Sequence, residues 1–235
     1  MKKVCLLIHG YLTDEKDFTT LPDKLNDYYD HLELFLIPGH GSESMDNFTK
    51  EKVFNKIDET LKQLEKDYDI VDVIGFSLGG ALAKYIACKY EVNKLVLLAP
   101  AVKYFSHKTI SRRINFMIGN KLTDEKSKFS NIVKEDVEAV SFFIGSLKKK
   151  FDLKNYREFG NIITYINETT IDYNAETLII WGYFDELVPK SAIKMCYDEC
   201  QNENKSVIVI PNIGHYMLRS SRGETIQTLI VNFLK

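Results

Sequence analysis

Ile70-Val71-Asp72-Val73-Ile74-Gly75-Phe76-Ser77-Leu78-Gly79-Gly80-Ala81-Leu82-Ala83-Lys84-Tyr85-Ile86-Ala87 is the stretch on which the reading of this chain turns. Its first five residues make a short, β-branched apolar run, the composition of a strand buried inside a parallel sheet. Its last seven are small and helix-favouring. Gly75-x-Ser77-x-Gly79 therefore falls at a strand-to-helix turn, the context in which G-x-S-x-G reads as a nucleophile elbow rather than as an ordinary glycine-rich turn. The glycines leave room for a strained backbone at Ser77 and let the following helix pack closely on the strand. The same turn sets the backbone N–H of Leu78 at a helix start, where it can face a developing negative charge.

Outward from this turn the chain alternates short apolar runs with helical stretches, as βαβ architecture requires. Strands are predicted at Lys3–His9, Leu32–Ile37, Ile70–Phe76, Lys94–Ala99, Thr177–Trp181 and Ser206–Ile210. Val53, Ile57, Leu61 and Leu64 recur at helical spacing, with lysines and acids on the opposite face. Further helices are predicted over Ser191–Cys200 and over Glu224–Leu234, the latter with Ile226, Leu229, Ile230 and Phe233 as its buried stripe. Right-handed crossovers would then place helices on both faces of a parallel sheet. From about Lys103 to Asp172 no strand is apparent, only helical patterns at Arg112–Leu122, Glu135–Lys150 and Phe159–Thr169. That length is too great for a plain connection and predicts a helical insertion. The insertion carries thirteen Lys and Arg against nine Asp and Glu, about +4, which leaves about −6 for the remainder. Its apolar clusters, Phe116-Met117-Ile118 and Phe142-Phe143-Ile144, can line a pocket or simply seat the insertion on the core.

A serine hydroxyl is a weak nucleophile until a neighbouring base takes its proton. Ile210-Pro211-Asn212-Ile213-Gly214-His215 supplies one, in a loop directly after the last predicted strand. That is the carboxyl edge of the sheet, where open α/β folds carry their chemistry. His215 in turn needs a carboxylate to fix its tautomer and stabilise the imidazolium. Trp181-Gly182-Tyr183-Phe184-Asp185-Glu186-Leu187-Val188-Pro189 offers Asp185 just beyond the preceding strand, with Glu186 as its competitor. Asp185 is favoured, because its spacing from Trp181-Gly182 and Val188-Pro189 fits a turn that points one acid inward; Glu186 is then expected to be a solvated loop charge.

The bulk composition is that of a soluble globular chain: 235 residues, 45% hydrophobic, 27% charged, with a formal net charge of −2. Near-neutrality argues against dedicated nucleic-acid binding. No apolar run approaches the roughly 18–20 residues that span a bilayer. Met1-Lys2-Lys3 before Val4–Ile8 resembles the start of a signal peptide, but His9-Gly10 ends the apolar run too early, so the segment reads as the first strand. Cys5, Cys88, Cys196 and Cys200 lack zinc-finger spacing, and the i,i+4 pair Cys196 and Cys200 has no histidine ligands near it in sequence. Reduced thiols in a cytoplasmic protein, with neither metal nor organic cofactor, are the economical expectation.

Taken together, His9-Gly10-Tyr11, Pro38-Gly39-His40-Gly41, the Ser77 turn, Trp181–Pro189 and Gly214-His215 resemble the α/β-hydrolase superfamily. The order Ser77, Asp185, His215 is that superfamily's order. In layout the chain is similar to small bacterial carboxylesterases and monoacylglycerol-lipase-like serine hydrolases. The resemblance implies a mainly parallel six-stranded sheet flanked by helices, with core at residues 1–102 and 173–235 and a helical cap at 103–172. It implies that the chain begins at the third strand of the full fold, and that backbone N–H groups of Tyr11 and Leu78 form an oxyanion hole. His9 and His40 would brace loops, and His31 and His107 would be incidental. Relatives that cleave carbon–halogen bonds or epoxides use a carboxylate where Ser77 stands, which disfavours those activities.

The expected activity is hydrolysis of short- to medium-chain acyl esters or monoacylglycerol-like esters through an acyl-enzyme on Ser77. A thioesterase or C–C bond hydrolase would use the same three side chains, and a non-catalytic ligand-binding protein would keep the fold without needing all of them. The expected partner is a small-molecule acyl ester. Neither nucleic acid nor a stable membrane anchor is expected, and self-association no stronger than a weak homodimer. Lys148-Lys149-Lys150 beside Phe142-Phe143 reads as a solvated helix end favoured by the helix dipole, with membrane contact as the alternative.

Overall fold

The computed structural model describes residues 1–104 and 152–235. Among these, six strands form one sheet: β1 (Lys3–Ile8), β2 (His31–Phe35), β3 (Ile70–Phe76), β4 (Lys94–Leu98), β5 (Glu176–Gly182) and β6 (Lys205–Ile210), in the order β2-β1-β3-β4-β5-β6. Every neighbouring pair is parallel. All six predicted strands are present, with ends shifted by at most two residues. The chain starts in β1, steps outward to β2, then crosses back to β3 on the other side of β1. The crevice between the carboxyl ends of β1 and β3 is therefore the topological switch point, where ligands of open α/β sheets bind.

The described helices are α1 (Leu21–Leu25), α2 (Lys50–Asp67), α3 (Leu78–Lys89), α4 (Leu153–Thr169), α5 (Lys190–Glu199) and α6 (Gly223–Leu234). In α2 the Thr49 side chain accepts from the Lys52 N–H, and the predicted stripe Val53, Ile57, Leu61 and Leu64, joined by Phe54, is buried. Residues Leu78–Ala87 of α3 are all buried, because the helix lies between the sheet and α4. The pattern at Phe159–Thr169 belongs to a helix that begins earlier, at Leu153, where the Asp152 side chain accepts from the Lys154 N–H. Phe159, Ile162, Ile163 and Ile166 form its buried face toward α2 and α3. α1 was not foreseen: five residues opening on Leu21-Pro22 are too short to display a helical period. The patterns at 112–122 and 135–150, the Phe116 and Phe142 clusters, His107 and Lys148–Lys150 lie outside the described residues.

Asp72 and Lys84 are ionisable side chains buried beneath the helices, away from the loops at the sheet's carboxyl edge. Asp72, inside the apolar run of β3, is buried and accepts from the Tyr29 hydroxyl at 2.7 Å, and from Asn93 Nδ2 and the Lys94 N–H at 2.8 Å each. Lys84, in the middle of α3, is fully buried and ion-pairs with Glu199 at the end of α5. Among the described residues no helix is long and apolar enough to cross a membrane, and no three His, Cys, Asp or Glu side chains converge as a metal site.

Candidate active site

Ser77 links β3 to α3 with φ 56° and ψ −114°, a positive φ that a residue bearing a Cβ adopts only where its surroundings impose it. Three main-chain bonds impose it here. The Ser77 N–H donates to the Leu98 carbonyl at 2.9 Å, and the Ser77 carbonyl accepts from Ala81 at 3.1 Å and Ala101 at 2.9 Å. The helix start is pressed onto β1: a Cβ on Gly79 would stand 2.0 Å from the Ile8 carbonyl oxygen and 2.5 Å from that of His9. Only glycine permits that approach. It brings the first turn of α3, including Leu78, against the end of β1 from which His9-Gly10-Tyr11 emerges.

Asp185 and His215 come from the loops after β5 and β6, and the main chain stitches those loops together. Tyr183 donates to the Ile210 carbonyl and Phe184 to that of Ile213, each at 2.9 Å. A Cβ on Gly182 would lie 2.5 Å from the carbonyl oxygens of both Ile213 and Gly214. The result is one hydrogen-bonded line. Ser77 Oγ stands 2.9 Å from His215 Nε2, and His215 Nδ1 stands 2.9 Å from Asp185 Oδ2. Asp185 Oδ1 accepts from the Leu187 and Val188 N–H groups at 2.8 Å each. An ionised carboxylate only accepts, so Nδ1 carries the ring proton and Nε2 offers its lone pair to the Ser77 hydroxyl. Burial opposes a charge on His215, yet the Asp185 carboxylate outweighs it and holds the imidazole above its ordinary pKa.

Glu186 departs from its expected place. It is fully buried rather than solvated, and its Oε2 accepts the His215 N–H at 3.0 Å. Burial, reinforced by the neighbouring Asp185 charge, pushes its carboxyl up to about 7. The acid-rich loop Asp185-Glu186 gave no sign that both acids turn inward.

On the β1 side the neutral His9 ring ties two loops. Nδ1 donates to the Gly10 carbonyl at 2.7 Å and Nε2 accepts from the Ile37 N–H at 3.0 Å. Burial lowers its pKa to about 4, consistent with a bracing ring that stays uncharged. His40 is buried and donates from Nδ1 to the Pro38 carbonyl at 3.1 Å, whereas His31 is exposed on β2 beside Glu33. Asp17, which the sequence did not single out, accepts the Gly10 N–H at 3.0 Å and also meets the Thr13 hydroxyl. It is buried, and that burial raises its carboxyl to about 6. The Tyr11 ring packs among His40, Phe48 and Phe159 at centroid distances of 5.7, 5.3 and 5.0 Å, so α4 rests directly on this loop.

Residues 1–221 match the family model Hydrolase_4, described as serine aminopeptidase, S33. No curated protein matches the sequence significantly. Among solved structures, the chain is similar to one described under two metagenome-derived lipolytic enzymes, with 15% identity and a TM-score of 0.74 over 99% of this chain and 93% of that one. It is similar to the monoacylglycerol lipase of Paleococcus ferrophilus, with 19% identity and a TM-score of 0.73 over 98% and 93% of the two chains. It is also similar to a meta-cleavage product hydrolase from Pseudomonas fluorescens, with 19% identity and a TM-score of 0.65 over 99% and 90%. At these identities the likeness is one of fold.

Proposed function

The chain belongs to the Hydrolase_4 (S33) family of α/β hydrolases, and we propose that it is a serine hydrolase of carboxylic esters, with Ser77 as nucleophile, His215 as general base and Asp185 as the carboxylate that orients it. The observation that carries this reading is the unbroken line Asp185 Oδ2, His215 Nδ1, His215 Nε2, Ser77 Oγ, with 2.9 Å at both contacts. In the first step Ser77 Oγ attacks the acyl carbonyl carbon while its proton passes to His215 Nε2. The carbonyl electron pair moves onto oxygen, where the N–H groups of Leu78 and Tyr11 receive it. Collapse of this intermediate breaks the bond to the alcohol, which takes the proton from His215. Water then repeats the sequence on the acyl-enzyme, with His215 again as base, and releases the acid. No step calls for a metal or an organic cofactor.

Short- to medium-chain acyl esters and monoacylglycerol-like esters are the proposed substrates, with segment 103–172 as a cap over the site. The contacts of α4 with Tyr11 support the placement of that cap. A solved structure of similar fold bears the name of a C–C bond hydrolase, so ester, thioester and diketone turnover should be compared side by side. The primary test is intact-mass analysis after fluorophosphonate treatment, together with p-nitrophenyl butyrate turnover, on wild type and Ser77→Ala. One adduct on wild type, none on a folded variant, and matching loss of turnover are expected. An unimpaired Ser77→Ala enzyme would sink the mechanism, and a folded wild type with neither adduct nor turnover would leave a ligand-binding protein.

A further inference from the structure

Beside the line from Asp185 to Ser77 stands a second carboxylate that the acyl-transfer scheme does not use. Glu186 is wholly excluded from solvent, its Oε2 accepts the His215 N–H at 3.0 Å, and among the described residues its Oε1 has no hydrogen-bond partner. An interior carboxylate with one oxygen unmatched is costly, and packing alone would be better served by an amide or an apolar side chain. The titratable groups that act on it are Asp185 on its own loop and His215 and Tyr216 on the loop after β6; Asp17, on the loop after β1, acts in turn on His215 and Tyr216, and Arg219 on Tyr216. Burial and the Asp185 charge oppose its ionisation, and the His215 imidazole favours it.

Resting on the reading of Ser77 and His215 as nucleophile and base, we propose that Glu186 is a positioning residue: its carboxylate holds the main chain of His215 while Asp185 holds the ring, and its negative charge makes that ring a stronger base. The two acids divide the work by geometry, one on the side chain and one on the backbone of the same histidine. Burial and the Asp185 charge bring the Glu186 carboxyl up to about 7, and the positive charge of the protonated imidazole works against that rise.

Glu186→Gln separates the two contributions, since the amide oxygen can still accept the His215 N–H but carries no charge. The His215 Hε1 resonance, followed by NMR against pH, should show the ring protonating about half a unit or more lower in the variant. The acidic limb of kcat/KM for p-nitrophenyl butyrate should move down with it, while kcat falls about tenfold and KM stays within about twofold. A residue that merely filled space would move neither the resonance nor the limb. An unshifted titration in a folded variant therefore overturns the proposal. Should Glu186→Gln not fold, wild-type protein with 13C-labelled glutamate carboxyls carries the test. A buried glutamate carboxyl that is ionised and shifts as the His215 ring takes up its proton supports the proposal, and a buried glutamate carboxyl that stays protonated throughout the range in which His215 titrates overturns it. Fluorophosphonate labelling of wild type keeps the two readings apart. A labelled enzyme with an unmoved inflection sinks only the role of Glu186, whereas an unlabelled wild type sinks the hydrolase reading as well.

Discussion

Gly182 shows how a single missing methyl group registers two loops. A Cβ there would meet the carbonyl oxygens of Ile213 and Gly214 at 2.5 Å, closer than real contacts allow, so an alanine must push the Asp185 loop away from the His215 loop. A displacement on the order of 1 Å in a positioned group costs roughly 100-fold in rate. Gly182→Ala is thus expected to lower kcat by about that factor while the protein stays folded, as kinetics beside a thermal melt would show; unchanged kcat would mean that the loops absorb the methyl group without losing register. Residues of this kind differ in how far the sequence discloses them. Ser77, Asp185 and His215 were legible because each stands just past a strand end, and strand ends follow from apolar periodicity. Asp17 and Glu186 were not. Each is buried and accepts a backbone N–H that is not its sequence neighbour's: Asp17 that of Gly10, seven residues back on its own loop, and Glu186 that of His215 on another loop. No local pattern distinguishes an acid so used from one that faces water.

The same limit holds for the elements. α3 was legible as a helix, but its burial on nearly every side follows from the sheet beneath it and α4 above it, and it strands Lys84 in the interior. The partner carboxylate comes from the far end of α5 and is itself about one-fifth exposed. This asymmetry in burial sets an asymmetry in cost. Glu199→Gln leaves the Lys84 charge buried and unpaired, which should destabilise the protein by about 3–5 kcal/mol. Lys84→Met leaves a carboxylate that can turn toward water, and the methionine fills the lysine's channel, so the loss should be about 1 kcal/mol or less. Urea unfolding of the two single variants and of the double variant checks this. The double variant should recover most of what Glu199→Gln loses, and equal costs for the two single variants would show that the pair is not anchored in the interior as its exposure implies.

At the scale of the whole molecule, the loops around Ser77 are held by groups whose protonation opposes one another. His9 is neutral and buried, with a pKa lowered to about 4, so the stability it contributes is complete above its ordinary value near 6.5 and is lost as pH falls toward 4. Asp17 and Glu186 run the other way. Their folded-state values, about 6 and about 7, lie above the ordinary carboxylate range, so their contribution is complete below about pH 4 and is lost as pH rises through those values. Between about pH 4.5 and 6 the folded site therefore loses stability through two acids while gaining it through one imidazole. His215, raised above 6.5, adds a further loss only above that pH. Removing one acid exposes the balance. Asp17→Asn keeps an oxygen to accept the Gly10 N–H but no longer has a charge to bury, so relative to wild type it should gain on the order of 3 kcal/mol as pH rises from 4 to 7. Urea unfolding of both proteins across that range should give curves that converge or cross as pH rises. Curves that stay parallel would mean that the Asp17 carboxylate is ionised at little cost, and that the loop carrying Tyr11 is held by hydrogen bonding alone. Convergence would instead show that ionising Asp17 is costly in the folded protein, and a crossing that above it the fold tolerates an acid it would be more stable without, at the main-chain N–H that fixes the proposed oxyanion loop.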